Sequence, residues 1–168
     1  GVELAKKIFA KFDPTLKMTQ YLHDGDAIKK GDVAFIVEGK TISILQTERL
    51  VLNFMQRLSG IATQTHEYVK LLEGTGTKIL DTRKTTPGLR LLEKYAVKVG
   101  GGENHRIGLY DMILIKDNHI DYAGGVTAAI TKTKEYLKAK GKNLKIEVEA
   151  RTLDEIKENL NFDVDRIM

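Results

Sequence analysis

Apolar positions along this chain change period several times, and those changes divide it into elements. Val2, Leu4, Ala5, Ile8 and Phe9 recur at helical spacing, predicting an amphipathic helix over residues 1–12. Asp13-Pro14 stops it, because proline disfavours helix in the residue before it. From Lys17 to Gln46 the pattern turns to strands: Val33–Val37 and the alternating Thr41–Leu45 are separated by Glu38-Gly39-Lys40. His23-Asp24-Gly25-Asp26 and Lys30-Gly31-Asp32 read as turns. Thr47 is expected to cap a long helical stretch in which Leu50, Phe54, Leu58 and Ile61 share a face. Gly60 is expected to break or bend that stretch, which Val69 and Leu72 resume and Gly74 and Gly76 end.

A different pattern begins at Lys78. Four short apolar runs, Lys78–Asp81, Ala96–Val99, Met112–Ile115 and Lys145–Val148, end abruptly in charged or hydrogen-bonding residues. Such runs read as buried parallel strands. Between them lie helical patterns: one beginning at Pro87–Leu92, one over 125–140, and one from Thr152 to Asn159 with Glu155 in capping-box position. Val164–Met168 starts a further strand. The order β-α-β-loop-β-α-β-α-β predicts a parallel α/β sheet or a partial barrel. In these architectures the carboxyl ends of the strands form one rim, where ligands bind. Arg83, Lys84, His105, Arg106, Lys116 and Glu149 are therefore expected to converge on a cationic rim with one carboxylate, suited to a small polyanion.

Composition narrows the partners. With 42% hydrophobic and 30% charged residues in 168, the chain is an ordinary globular sequence large enough to bury a core. No apolar run is long enough to span a bilayer, and no membrane partner is expected. The absence of cysteine excludes disulfides and thiolate metal sites and fits a cytoplasmic protein. A net charge of +4 is too modest to argue for nucleic acid. Opening inside a helical pattern at Gly1 and closing on a strand, the chain reads as a piece of a longer protein.

Single motifs decide little. Gly100-Gly101-Gly102 invites an anion cradle of backbone N–H groups, but it matches neither GxGxxG nor GxxxxGK[ST], and glycines after a strand commonly just turn. His23 and its acidic neighbours read as solvated turn residues rather than a metal site. Arg49 beside Glu48 reads as a solvated surface arginine. Lys116 is harder to dismiss. After four apolar residues it must emerge at a rim or pair with an acid such as Glu149.

Taken together and in order, several segments resemble the quinolinate phosphoribosyltransferase family. They are Leu80–Arg90 (LDTRKTTPGLR), Gly100–Leu109 (GGGENHRIGL) and Leu114–His119 (LIKDNH), with Glu48-Arg49, Leu52-Asn53, Leu58–Thr63 and Ile146–Glu149. The resemblance covers nearly the whole chain. It implies an α/β fold: residues 1–50 as the remainder of an N-terminal open-faced sandwich, then 51–168 as linking helices and the first part of an incomplete α/β barrel. It implies a dimeric enzyme of NAD biosynthesis that makes nicotinate mononucleotide, CO2 and pyrophosphate from quinolinate and phosphoribosyl pyrophosphate with Mg2+.

By that resemblance Arg83, His105, Arg106 and Lys116 hold the two carboxylates of quinolinate, and Arg49 enters the pocket of the partner subunit. Thr82, Lys84 and Glu149 lie on the phosphoribosyl pyrophosphate side, with Glu149 the candidate Mg2+ ligand. Lys116, Glu149 and Lys84 are the expected catalytic groups. The family's opening segment, its later acidic motif and its later glycine-rich phosphate loops have no counterpart here, and Arg166 stands where an apolar strand residue is usual. Two rivals stay open: a related scaffold of the molybdenum-transport type, and a non-catalytic anion-binding module.

Overall fold

The computed structural model describes residues 1–168 as two compact units, Gly1–His105 and Arg106–Met168. In the first, helix α1 (Val2–Phe12) buries Val2, Ala5 and Phe9, one helical stripe, and ends at Asp13. Strands β1 (Lys17–Gln20) and β2 (Phe35–Glu38) pair antiparallel with Met18 opposite Val37. Alternation turns Phe35 and Val37 inward and leaves Ile36 exposed. Ala5, Phe9 and Val51 form the centre of a core with Leu16, Met18, Phe35, Val37 and Met55, and the Phe9 and Phe35 rings meet edge to face at 6.0 Å. Two helices against one face of a small sheet make the open-faced sandwich.

Helix α2 (Thr41–Leu71) departs from the expected pattern in three ways. Thr41–Leu45 is not a strand but the first turns of this helix. Thr47 is no cap; it lies buried inside the helix, its hydroxyl donating to the Ser43 carbonyl at 2.7 Å. Gly60 does not interrupt the helix, which runs unbroken to Leu71. The reason lies in the buried stripe, Ser43, Thr47, Val51, Leu58 and Thr65, where three of five residues are small and polar. Ile42, Leu45 and Leu50 face outward, so apolar periodicity misplaced both the start and the buried face.

Helix α3 (Arg90–Val99) brings the second correction: Ala96–Val99, expected as a strand, is its last turn. Pro87 lies in the turn ahead of the helix, where the Leu89 N–H reaches the Thr86 carbonyl at 3.0 Å. The parallel partner of residues 79–81 comes after the glycines instead. The Glu103 N–H donates to the Ile79 carbonyl at 2.8 Å, and the Asp81 N–H to the Glu103 carbonyl at 3.2 Å.

The second unit follows the βα pattern closely. Strands β3 (Ile113–Ile115), β4 (Ile146–Val148) and β5 (Arg166–Ile167) are parallel in that order. Between β3 and β4 lie α4 (Asp117–Ala123) and α5 (Val126–Ala139), and α6 (Leu153–Asn159) precedes β5. Helix α4 has no counterpart in the sequence reading. Ile115, Ile146 and Val148 pack against Ile120, Val126, Ala129, Ile130 and Leu137, a core of strand residues under helices. Gly124, at φ +94°, closes α4 in the left-handed conformation that glycine adopts without a Cβ clash. The Thr152 hydroxyl caps α6 by accepting from the Glu155 N–H at 3.1 Å.

Candidate functional site

In the first unit, the segment carrying Thr82, Arg83 and Lys84 begins at a buried carboxylate. Asp81 accepts the Lys94 ammonium in a close ion pair, the Asn104 amide at 2.5 Å and the His105 N–H at 2.8 Å. The side chains of Lys94 and Asp81 are only 3% and 6% exposed. A lysine so deeply buried is tolerable because its charge is matched and hydrogen-bonded. Asn104 also reaches the Lys94 carbonyl at 2.8 Å, closing the ring of contacts. Thr82, Arg83, Lys84 and His105 are thus gathered about two neighbouring backbone segments. Thr82 takes the Lys84 N–H on its hydroxyl at 3.0 Å. Arg83 is half-buried, its Nε buried without a hydrogen-bond partner, and its carbonyl lies 3.4 Å from the Arg90 guanidinium.

A second buried acid fastens the other end of this segment. Glu93 accepts from Arg57 Nε at 2.8 Å and from the Thr86 N–H at 3.1 Å, and Arg57 reaches the Thr86 hydroxyl at 2.5 Å. Burial pushes the Glu93 carboxyl up, but the Arg57 guanidinium and the Thr86 donors outweigh it and hold the group below the usual range. Beside this clasp is an open cavity of about 470 Å³ lined by Thr85, Thr86, Pro87, Gly88, Arg90 and Leu91.

In the second unit two of the six residues expected on the rim, Lys116 and Glu149, stand at the carboxyl ends of β3 and β4. Ile115 and Val148 are register partners, so Lys116 and Glu149 leave adjacent strands together. Lys116 emerges exposed, its N–H donating to His119 Nδ1 at 2.9 Å. That bond makes Nδ1 the acceptor and leaves the ring proton on Nε2. Glu149 is half-buried and turns one oxygen to the Asp117 N–H at 3.3 Å, so it braces the start of α4 rather than pairing with Lys116. Arg106 is buried, one guanidinium nitrogen donating to the Met112 carbonyl at 3.3 Å. Next to it Asp111 takes the Ile107 and Gly108 N–H groups at 2.7 and 2.8 Å. Desolvation raises the Asp111 carboxyl, and these two donors bring it below its ordinary value.

Arg166 finds its reason in the same sheet. It lies opposite the buried Glu147, with the guanidinium 3.6 Å from the carboxylate.

Other expectations change. The three glycines follow helix α3 rather than a strand and let its end pass against α2. A Cβ on Gly100 would stand 2.8 Å from Thr65 Cβ and closer still to the Ala62 carbonyl, and one on Gly102 would stand 2.8 Å from Val97. Arg49 is exposed on α2. Asp81, Lys94, Glu93 and Arg57 were missing from the expected site. One signal for them was present: Glu93 lies on the same helical stripe as the buried Ala96, an acid where an apolar residue belongs.

The family model "Quinolinate phosphoribosyl transferase, N-terminal domain" matches residues 1–59, and the corresponding C-terminal domain model matches 61–168. A tobacco relative, quinolinate phosphoribosyltransferase [decarboxylating] 2b, mitochondrial, is 49% identical over 162 residues, covering 96% of this chain and 46% of its own length. A probable nicotinate-nucleotide pyrophosphorylase [carboxylating] of Bacillus subtilis is 46% identical over 168 residues, 100% of this chain and 57% of its own. The crystal structure of NadC from Streptococcus pyogenes superposes with a TM-score of 0.93 at 42% identity, over 100% of this chain and 59% of that one. The chain therefore spans about half the length of the curated relatives it matches.

Proposed function

This chain belongs to the quinolinate phosphoribosyltransferase family, and from that premise we propose that the whole protein transfers phosphoribose from phosphoribosyl pyrophosphate to quinolinate. The products are nicotinate mononucleotide, CO2 and pyrophosphate, a step of NAD biosynthesis. The observation that carries the reading is identity of 46–49% across almost the entire chain to relatives named for this reaction.

The roles follow from charge. Quinolinate is a dianion, and Arg83 and Arg106 offer planar forks for its carboxylates, each charged hydrogen bond contributing about 1.5–3 kcal/mol. His105 and Lys116 complete that set. The pyridine nitrogen attacks C1 of the ribose as pyrophosphate leaves, so positive charge develops on the sugar; Glu149 offsets it, and Lys84 with Thr82 receives the pyrophosphate. Loss of CO2 from C2 of the ring leaves a carbanion that the adjacent quaternised nitrogen stabilises, and a proton taken up at C2 completes nicotinate mononucleotide. Mg2+ takes one or two protein carboxylates plus substrate phosphates, and the half-buried Glu149 at the end of β4 fits that sparse demand. When bound, the ion supplies charge neutralisation of the leaving group.

The same reading makes the protein a homodimer with Arg49 completing the partner's site. Support comes from the apolar side chains that the first unit leaves in solvent on α1 and α2: Phe12, Ile42, Leu45 and Leu50. A cytoplasmic location is proposed on the lack of cysteine alone; no helix is long and apolar enough to cross a membrane, and the tobacco relative is named mitochondrial.

The test is an assay of the intact protein with quinolinate, phosphoribosyl pyrophosphate and Mg2+, following CO2 and nicotinate mononucleotide. Binding of quinolinate without turnover would favour an anion-binding module. Turnover restricted to another substrate would favour the molybdenum-transport relatives. For the dimer, mixing inactive Arg49→Ala and Arg83→Ala proteins should restore part of the activity, since one site of each mixed dimer then carries neither lesion. An active monomer in sedimentation would end the shared-site reading.

A further inference from the structure

We propose that the buried Lys94–Asp81 pair is a positioning device for the quinolinate pocket, fixing the backbone of His105 so that its side chain is presented to a substrate carboxylate. This rests on the functional reading above. Asp81 collects three donors from two places: the Lys94 ammonium from the middle of α3, and the Asn104 amide and His105 N–H from the segment paired beside it. Both charged side chains are almost wholly buried, so neither is offered to a ligand, and the Lys94 ammonium is spent on Asp81.

A buried ion pair of this kind adds little net stability over a well-packed apolar pair, because desolvation cancels most of the attraction. What it does supply is direction. Asp81 Oδ1 takes the His105 N–H at 2.8 Å and Oδ2 takes Asn104 at 2.5 Å, so one carboxylate plane sets both residues. The two segments share only a single isolated bridge, Leu80 to Glu103, too short to fix the residues beyond it by strand pairing alone. Lys94 holds that carboxylate in place through their close ion pair. It acts through Asp81 and His105 and is a positioning residue, not a catalytic one.

The experiment compares two charge-neutral double variants of the intact protein. Asp81→Asn with Lys94→Met removes both charges and keeps an oxygen to accept the His105 N–H. Asp81→Ala with Lys94→Met removes the acceptor as well. The first should keep its quinolinate KM within about threefold of wild type, while the second should raise it about tenfold or more, the scale of one lost orienting hydrogen bond. In both, kcat and the KM for phosphoribosyl pyrophosphate should change by less than about threefold, since a carboxylate contact made equally in ground and transition states appears in KM. Equal quinolinate KM in the two variants, or a parallel rise for both substrates, would overturn the proposal. So would failure of either variant to fold, which would make the pair a folding element only. Wild-type protein that does not turn over quinolinate would instead remove the functional reading, and this inference with it, before any variant is compared.

Discussion

The Ser43 hydroxyl donates to Asp13 Oδ2 at 2.7 Å, tying the end of helix α1 to the first turn of α2. Thr15 adds two more donors, its N–H at 2.9 Å and its hydroxyl at 2.7 Å, both to Asp13 Oδ1. Ser43 first and Thr15 second lower the Asp13 pKa from 3.8 to about 2. A carboxyl whose folded value is depressed adds stability that is complete above its unfolded value and disappears as pH falls through the folded one. Ser43→Ala should therefore destabilise the protein above pH 3.8, and the difference from wild type should shrink to nothing near pH 2. Denaturation of both proteins at a series of pH values checks this. A difference that persists undiminished at the acid end would mean that the hydroxyl acts by packing alone.

Glu93 should matter more to stability than the arginine it faces. The Glu93 side chain is 11% exposed while that of Arg57 is 46% exposed. Removing the acid takes the acceptor from the Thr86 N–H as well as from the guanidinium, whereas removing Arg57 leaves Glu93 its Thr86 donor. Glu93→Ala should cost about 2–3 kcal/mol in denaturant unfolding, the range for lost hydrogen bonds to a charged group. Arg57→Ala should cost about 1 kcal/mol, because the half-exposed guanidinium is replaced in part by water. The reverse order would show that the arginine stem, not the acid, secures the turn.

Local pattern reveals the elements whose buried face is apolar and hides those whose buried face is polar. Strand β3 announces itself because Met112–Ile115 is a dense apolar run closed by charge, and β4 because Ile146 and Val148 alternate with charged residues before Glu149. The same closure placed Lys116 and Glu149 at strand ends, and adjacent register puts them on one rim. Helix α2 hid its start because its buried stripe opens with Ser43 and Thr47, whose polar groups are satisfied by Asp13 and by the helix's own carbonyls. Ala96–Val99 imitated a strand because it is the last turn of α3, pressed against α2. The Asp81–Lys94 pair was invisible for another reason. Thirteen residues separate its members, and only the fold brings the lysine inside. Local periodicity carries no information about which buried charge meets which.

Gly100 and Gly101 separate packing from backbone strain at neighbouring positions. Gly100 has φ −72°, open to any residue, but a Cβ there collides with Thr65 and the Ala62 carbonyl on α2. Gly101 has φ +92°, yet its Cβ would meet nothing nearer than Val69 at 3.5 Å. Gly100→Ala should cost about 2–4 kcal/mol, because two helix backbones must part. Gly101→Ala should cost about 1–2 kcal/mol through its left-handed conformation alone. Denaturant unfolding of the two variants decides between them. Comparable small losses would mean that α2 and α3 separate at little cost.

Arg83 and Lys84 are neighbours in sequence with different assignments, and kinetics can pull them apart. Arg83 is half-buried with its Nε free of any hydrogen bond, while Lys84 is exposed. If Arg83 grips a quinolinate carboxylate through two charged hydrogen bonds, Arg83→Ala should lower kcat/KM for quinolinate at least about 100-fold. Arg83→Lys should recover little, because an ammonium cannot reproduce the fork. Lys84→Ala should act chiefly on phosphoribosyl pyrophosphate, raising its KM while the quinolinate KM stays within about threefold. Both variants should melt within about 2 °C of wild type, since neither side chain is credited with holding the fold. Steady release of CO2 from quinolinate by Arg83→Ala protein at the wild-type rate would remove Arg83 from the pocket.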